Sequence, residues 1–179
     1  MRYLILIILI AVCFLSCTKA KVELPPATQE GKDILGCLVN GEVFVAQHGF
    51  IGGVDDLSIS VSKEELNLGS SAYGDDTKVD GNLYINLFEN FDLYKQSTFP
   101  ITNDLSRSGK FKYRKGVMFS TGQDKYVGEL TITKLDTVNF IVAGTFWFDA
   151  VSETGEVVEI RKGRFDIPYS CCTQYPDSR

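Results

Sequence analysis

The sequence predicts an all-β domain: an antiparallel β-sandwich of about 8–10 strands, with an open β-barrel as the alternative. Three observations predict it. Apolar and polar residues alternate in short runs, and Gly, Asn, Asp and Ser separate those runs. No stretch carries the i, i+3, i+4 spacing of a full amphipathic helix; residues 63–68 and 93–97 offer a helical turn at most.

Taken in order, the first β signal lies at residues 38–44 (LVNGEVF), where Asn40-Gly41 stands between apolar stretches. Both central residues of a type I′ turn need φ > 0, which Asn and Gly tolerate, so a hairpin is expected here. Residues 57–61 (LSISV) and 83–88 (LYINLF) alternate cleanly. Between them, residues 69–82 are rich in Gly, Ser and Asp and are expected to form a loop. Residues 126–135 (YVGELTITKL), 140–148 (FIVAGTFWF) and 156–167 (EVVEIRKGRFDI) are expected to be three consecutive antiparallel strands. The middle one is apolar on both faces, which predicts a central strand covered on both sides, with Phe140, Phe146, Trp147 and Phe148 in the core. In the third, Val158 and Ile160 oppose Glu159 and Arg161, and Gly163 marks a bulge or bend.

The N-terminus bears on location. Arg2 precedes an unbroken apolar run, residues 4–15 (LILIILIAVCFL). That run is too short for a bilayer core of about 30 Å at about 1.5 Å per residue, and its layout is that of a secretory signal. Phe14-Leu15-Ser16-Cys17 resembles the lipobox of bacterial lipoproteins, although Phe14 stands where Leu is usual. The resemblance implies cleavage after a 1–16 signal peptide and several acyl chains on Cys17; Cys13, behind the β-branched Val12, is the poorer alternative. Residues 17–35 then form the lipidated cysteine and a tether with Pro25-Pro26. Fully extended, that tether reaches at most ~55 Å. Residues 36–172 are expected to be the single β domain and 173–179 a tail.

Composition narrows the partners. With 18 Lys+Arg against 23 Asp+Glu the net charge is −5, and no basic cluster exists to hold nucleic acid or anionic lipid. Among the 5 cysteines, Cys37, Cys171 and Cys172 fall in the exported domain, where an oxidising space permits a disulfide. The expected bridge joins Cys37 to Cys171 or Cys172, closing a loop worth about 4–5 kcal/mol in the chain-entropy model. Three unpaired thiols are the alternative.

Four segments, residues 36–41 (GCLVNG), 128–136 (GELTITKLD), 144–148 (GTFWF) and 163–167 (GRFDI), together resemble a family of Bacteroidota lipoproteins whose domain has no assigned function. The resemblance implies an all-β domain of the periplasm or cell surface, and it carries over no catalytic residue. Surface-displayed members of such groups tend to bear acidic residues after the lipidated cysteine. Thr18-Lys19-Ala20-Lys21 follows Cys17 here, which favours an outer-membrane protein facing the periplasm.

Residue types able to carry chemistry are sparse. The single histidine, His48, has no Gly-x-Ser-x-Gly elbow to serve. One histidine and the vicinal Cys171-Cys172 do not make a zinc site. Asp55-Asp56, Asp75-Asp76, Asp80, Glu89 and Asp92 lack calcium-loop spacing, and carboxylates in such loops are usually turn formers. No catalytic residue, metal ligand or cofactor is therefore expected. Tyr73, Phe91, Tyr94, Phe99 and Tyr113 lie nearer loops and are the candidate ligand-contacting aromatics. The expected function is a non-enzymatic binding or assembly module for an envelope protein or a glycan. A small-ligand carrier with an internal cavity is the alternative, and a carboxylate-based hydrolase is third.

Overall fold

The Asn40-Gly41 turn sets the first hairpin. In the computed structural model, which describes residues 23–47, 57–73, 77–88, 92–94, 97–104, 106–114, 116–122 and 125–170, these two residues take φ of 50° and 86°. They join β1 (Ile34–Val39) to β2 (Glu42–Gln47) with Val39 opposite Glu42. A meander follows, of β3 (Leu57–Ser62), β4 (Glu65–Ala72) and β5 (Gly81–Phe88). Next come the short β6 (Thr98–Ile101) and β7 (Asn103–Asp104), then β8 (Arg107–Tyr113) and β9 (Met118–Ser120). The expected triplet closes the chain as β10 (Gly128–Asp136), β11 (Ile141–Val151) and β12 (Val157–Pro168).

Among the described residues the strand ladders are antiparallel and belong to one twelve-stranded sheet. Its main path runs β2-β1-β12-β11-β9-β8-β5-β4-β3, with β10 on β11 and β6, and β7 on β8. One edge of β11 forks: its residues up to Phe148 pair with β10, while Val151 pairs with Ser120 of β9. The free edge of β2 comes round towards β4, and the segment after β4 bridges to it. Lys78 N donates to Val43 O at 2.7 Å, and Thr77 Oγ1 donates to Val43 O at 3.1 Å and accepts from Val45 N at 3.4 Å. The result is an antiparallel sheet curled almost into a closed barrel, consistent with both the sandwich and the open barrel expected from the sequence.

Inward residues at every second position fill the interior. Phe44, Phe99, Phe111, Phe148 and Phe165 are among its largest fully buried side chains, each contributing about 1.5–3 kcal/mol of apolar burial. Phe44 and Phe111 meet edge to face at 5.8 Å. Glycines make room for these rings: a Cβ on Gly144 would stand 2.7 Å from the Phe165 ring, and one on Gly109 3.0 Å from that of Phe148. Cys37, also inward, is a wholly buried thiol with no bridge among the described residues, and burial pushes its pKa far above the ordinary value. Cys171 and Cys172 lie outside the described residues.

Several elements differ from the sequence expectation. Residues 65–72 are a strand rather than a helical turn and loop, because Leu66, Leu68, Ser70 and Ala72 all face inward and two of those side chains are too small to signal it. Trp147 and Phe140 are not core residues; each is 39% exposed. The outer face of β11 is covered only at its start, around the buried Ala143. Gly163 does adjoin a bulge: Phe146 pairs with Gly163 but Phe148 with Ile160, so Arg161 and Lys162 together oppose Trp147. Lys162 takes φ 52° there, and the extra residue restores the inward phase, with Ile160 and then Gly163 and Phe165 buried.

What covers the start of β11 is the second half of the expected tether. Residues 23–33 form a strap across the outer face of β12 and its neighbours, latched by Asp166. That carboxylate, 1% exposed, accepts from Thr28 Oγ1 (2.6 Å) and from the backbone amides of Glu30 (2.9 Å), Gly31 (2.7 Å) and Lys32 (3.3 Å). Gly31 and Asp33 at φ 74° and 59° turn consecutive amides onto one anion, an arrangement known as a nest. Further along, Arg164 Nη1 donates to Pro25 O at 3.0 Å, and Lys134 Nζ to Gln29 O at 2.9 Å. Gly36 is required beneath Pro25, whose Cδ would lie 2.6 Å from a Cβ.

Candidate functional site

One end of the barrel gathers the Asn40-Gly41 turn, residues 77–80, the β8–β9 turn and the β11–β12 turn. They enclose an open groove of ≈ 710 Å³, a size typical of ligand-binding clefts. Its walls include Asp80, Tyr113, Arg114, Val117, Phe119 and Glu156.

The floor is aromatic and rigid. Tyr113 packs edge to face on Phe111 (5.0 Å) and Phe119 (5.9 Å). Its hydroxyl accepts from Asn40 Nδ2 at 3.4 Å. Burial raises the Tyr113 pKa, and the Asn40 bond only partly opposes that, so the phenol stays neutral across the physiological range. The charged wall comes from Arg114. Its guanidinium sits 3.6 Å from Asp80 Oδ2 and 5.2 Å from the Tyr73 ring centroid, and its amide donates to Asp80 O at 3.1 Å. Tyr73 in turn donates to Asn82 Oδ1 at 2.6 Å.

At this end of the barrel Tyr73, Val117, Met118 and Val157 are 42%, 44%, 41% and 43% exposed, and of these Val117 lines the groove itself. Val117 and Met118 lie in and beside the β8–β9 turn, and Val157 follows Glu156. An exposed apolar side chain, an aromatic floor and one Arg paired with a carboxylate are the ingredients of an interface core.

Of the aromatics expected to contact a ligand, the structure brings Tyr73 and Tyr113 together through Arg114. Phe99 is 1% exposed, a core residue of β6, because its strand alternates inward at that position. Tyr94 is 58% exposed beside a smaller hollow with Leu93, Ser97 and Leu135, remote from the groove. Asp80 takes part as the partner of Arg114, while Asp92 pairs with Lys63 at 3.9 Å. Phe91, His48, Asp55, Asp56, Asp75, Asp76, Glu89 and Cys17 lie outside the described residues. Among the described residues no three His, Cys, Asp or Glu side chains are grouped to hold a metal ion.

Arg114, Val117, Met118, Phe119 and Glu156 escaped the sequence reading. The one signal for them was the alternation Lys110-Phe111-Lys112-Tyr113, which marks β8 and so locates the turn after it.

Comparison with known families finds that the one described as Domain of unknown function (DUF6252) matches residues 76–168, from just before β5 to the end of β12. No curated protein and no solved structure matches significantly.

Proposed function

The chain belongs to the DUF6252 family, a domain without an assigned activity, and we propose that it is a lipid-anchored, non-enzymatic binding module of the cell envelope. Cys17 carries the anchor, the barrel faces the periplasm from the outer membrane, and a partner protein docks at the barrel mouth. The observation that carries this reading is the mouth itself: a ≈ 710 Å³ groove with an aromatic floor and with Arg114 and the exposed Val117 in its wall. Met, Tyr and Arg are the residue types enriched at protein interfaces. The partner's complement is an apolar side chain for the groove and an acidic or hydrogen-bonding group for Arg114.

The interior supports binding at the surface rather than carriage inside. A carrier needs an enclosed cavity, and the phenyl rings of Phe44, Phe111, Phe148 and Phe165 occupy that space.

The test is to charge the rim. Val117→Glu with Met118→Glu is expected to leave stability within about 0.5 kcal/mol, as for exposed positions generally. It is expected to reduce the complex extracted from membranes to the size of the lone protein. A wild-type extract already of that size, or an unchanged complex in the double variant, contradicts the reading.

A further inference from the structure

The outer face of β10, β11 and β12 holds a second concavity, of ≈ 430 Å³, and the chain's only tryptophan stands in it. Strand register lays out its floor. Glu129 is opposite Trp147 across β10 and β11, and in the next row Thr131, Thr145 and Arg164 stand side by side across all three strands. Ala27 of the strap lines the groove on another side.

Trp147 is held in place while exposed. The bulge at Arg161–Lys162 aims the Arg161 guanidinium over the indole, 5.6 Å from its centroid. Arg161 is fixed by Asp149 Oδ1 at 2.7 Å and by donation to Phe148 O (3.2 Å) and Ile160 O (3.0 Å). The remaining indole surface is open to the groove at no further ordering cost.

The polar groups beside it have bonding capacity to spare. Among the described residues, the Glu129 carboxylate and the Lys162 ammonium have neither an ion pair nor a hydrogen bond. Arg164, among the described residues, uses Nε on Lys162 O and Nη1 on Pro25 O and leaves Nη2 over. A carboxylate, cationic donors and two threonine hydroxyls therefore surround one flat aromatic ring.

We propose that this groove is a glycan subsite that binds a pyranose ring. A pyranose presents an apolar C–H face, which stacks on Trp147, and a rim of hydroxyls that both donate and accept. Glu129 accepts from those hydroxyls, Arg164 donates to them, and Thr131 and Thr145 do either. A simple anion is disfavoured by Glu129, and a purely apolar ligand by the threonine floor. An added peptide strand is excluded geometrically, because β11 and β12 are paired along both edges. The subsite shares no residue with the mouth and stands independently of the partner proposed there.

Because Trp147 is the only tryptophan, its emission reports this groove alone. The full-length protein in a detergent without a sugar headgroup would be titrated with gluco-, xylo-, manno-, galacto- and chito-oligosaccharides. At least one is expected to shift the emission saturably, with a Kd of about 1 mM or tighter. Glu129→Gln is expected to weaken that binding about tenfold, the usual scale for a charged hydrogen bond. Trp147→Ala, followed by calorimetry, is expected to abolish it, and Val117→Glu with Met118→Glu to leave it unchanged. The proposal is overturned if no oligosaccharide shifts the emission. It is equally overturned if a shift occurs but calorimetric affinity survives both Glu129→Gln and Trp147→Ala.

Discussion

Asp166→Ala is expected to unlatch the strap and to cost about 2–4 kcal/mol, a fall in Tm of roughly 10 °C. The carboxylate gathers the Thr28 hydroxyl and three backbone amides. Each charged hydrogen bond is worth about 1.5–3 kcal/mol when its partner stays buried. The total falls short of their sum because the freed strap regains hydration and chain entropy. Trypsin supplies the local readout: cleavage after Lys32 is expected to be rapid in the variant and slow in the wild type. Equal protection and equal Tm would show that the latch holds nothing.

Acid is expected to do reversibly what the substitution does. Burial would raise the Asp166 pKa, but the hydrogen bonds from Thr28, Glu30, Gly31 and Lys32 together outweigh it and hold the value below the ordinary range. A folded pKa below the unfolded one means that the contribution is complete above about pH 5 and fades as pH falls through the folded value. Asp136 behaves alike. Held at about 2 by the Asn139 side chain and amide and by the Val138 amide, against some burial, it caps the β10–β11 turn until strongly acid pH.

Cys17→Ala is expected to move the protein from the salt-washed membrane fraction to the soluble fraction. At about 0.8 kcal/mol per buried CH₂, two or more acyl chains anchor firmly, whereas one binds reversibly. The apolar run before Cys17 is too short to span. Mass spectrometry of the wild-type N-terminal peptide is expected to find the acyl mass on Cys17. Persistence of the variant on washed membranes, or an unmodified Cys17, would remove the anchor from the proposal. Strap and anchor are linked: with the strap latched from residue 23 onward, residues 18–22 span at most about 16 Å when extended. The barrel would then ride close to the bilayer rather than at the ~55 Å that a wholly free tether allows.

The legible parts of the fold were those where side-chain size advertises burial. The Asn40-Gly41 turn marked the first hairpin, and β10 and β12 alternate apolar with polar residues, so their strands and faces were legible. In contrast β11, apolar on both faces, revealed its strand but not which face is covered. β4 hides Ser70 and Ala72 on its inner face, and β6, β7 and β9 are too short to show a period. Asp166 looks like any solvent-facing residue between Phe165 and Ile167, because what buries it is a segment more than a hundred residues earlier in the chain. Trp147 misled for the converse reason: its face is apolar, yet among the described residues nothing covers its indole and it stays 39% exposed. The mouth is assembled from turns distant in sequence; Tyr73 and Tyr113 were named in advance as ligand contacts, and Asp80 only as a turn former.

The binding role of the mouth is tested most directly by photo-crosslinking in the native host. A photoreactive residue at Val117 is compared with one at Val138, which is 81% exposed in the β10–β11 turn at the opposite end of the barrel. The expected result is one discrete adduct from Val117, lost when Arg114→Glu is added, and none from Val138. Equal labelling from both positions, or no adduct from Val117, would contradict a partner at the mouth.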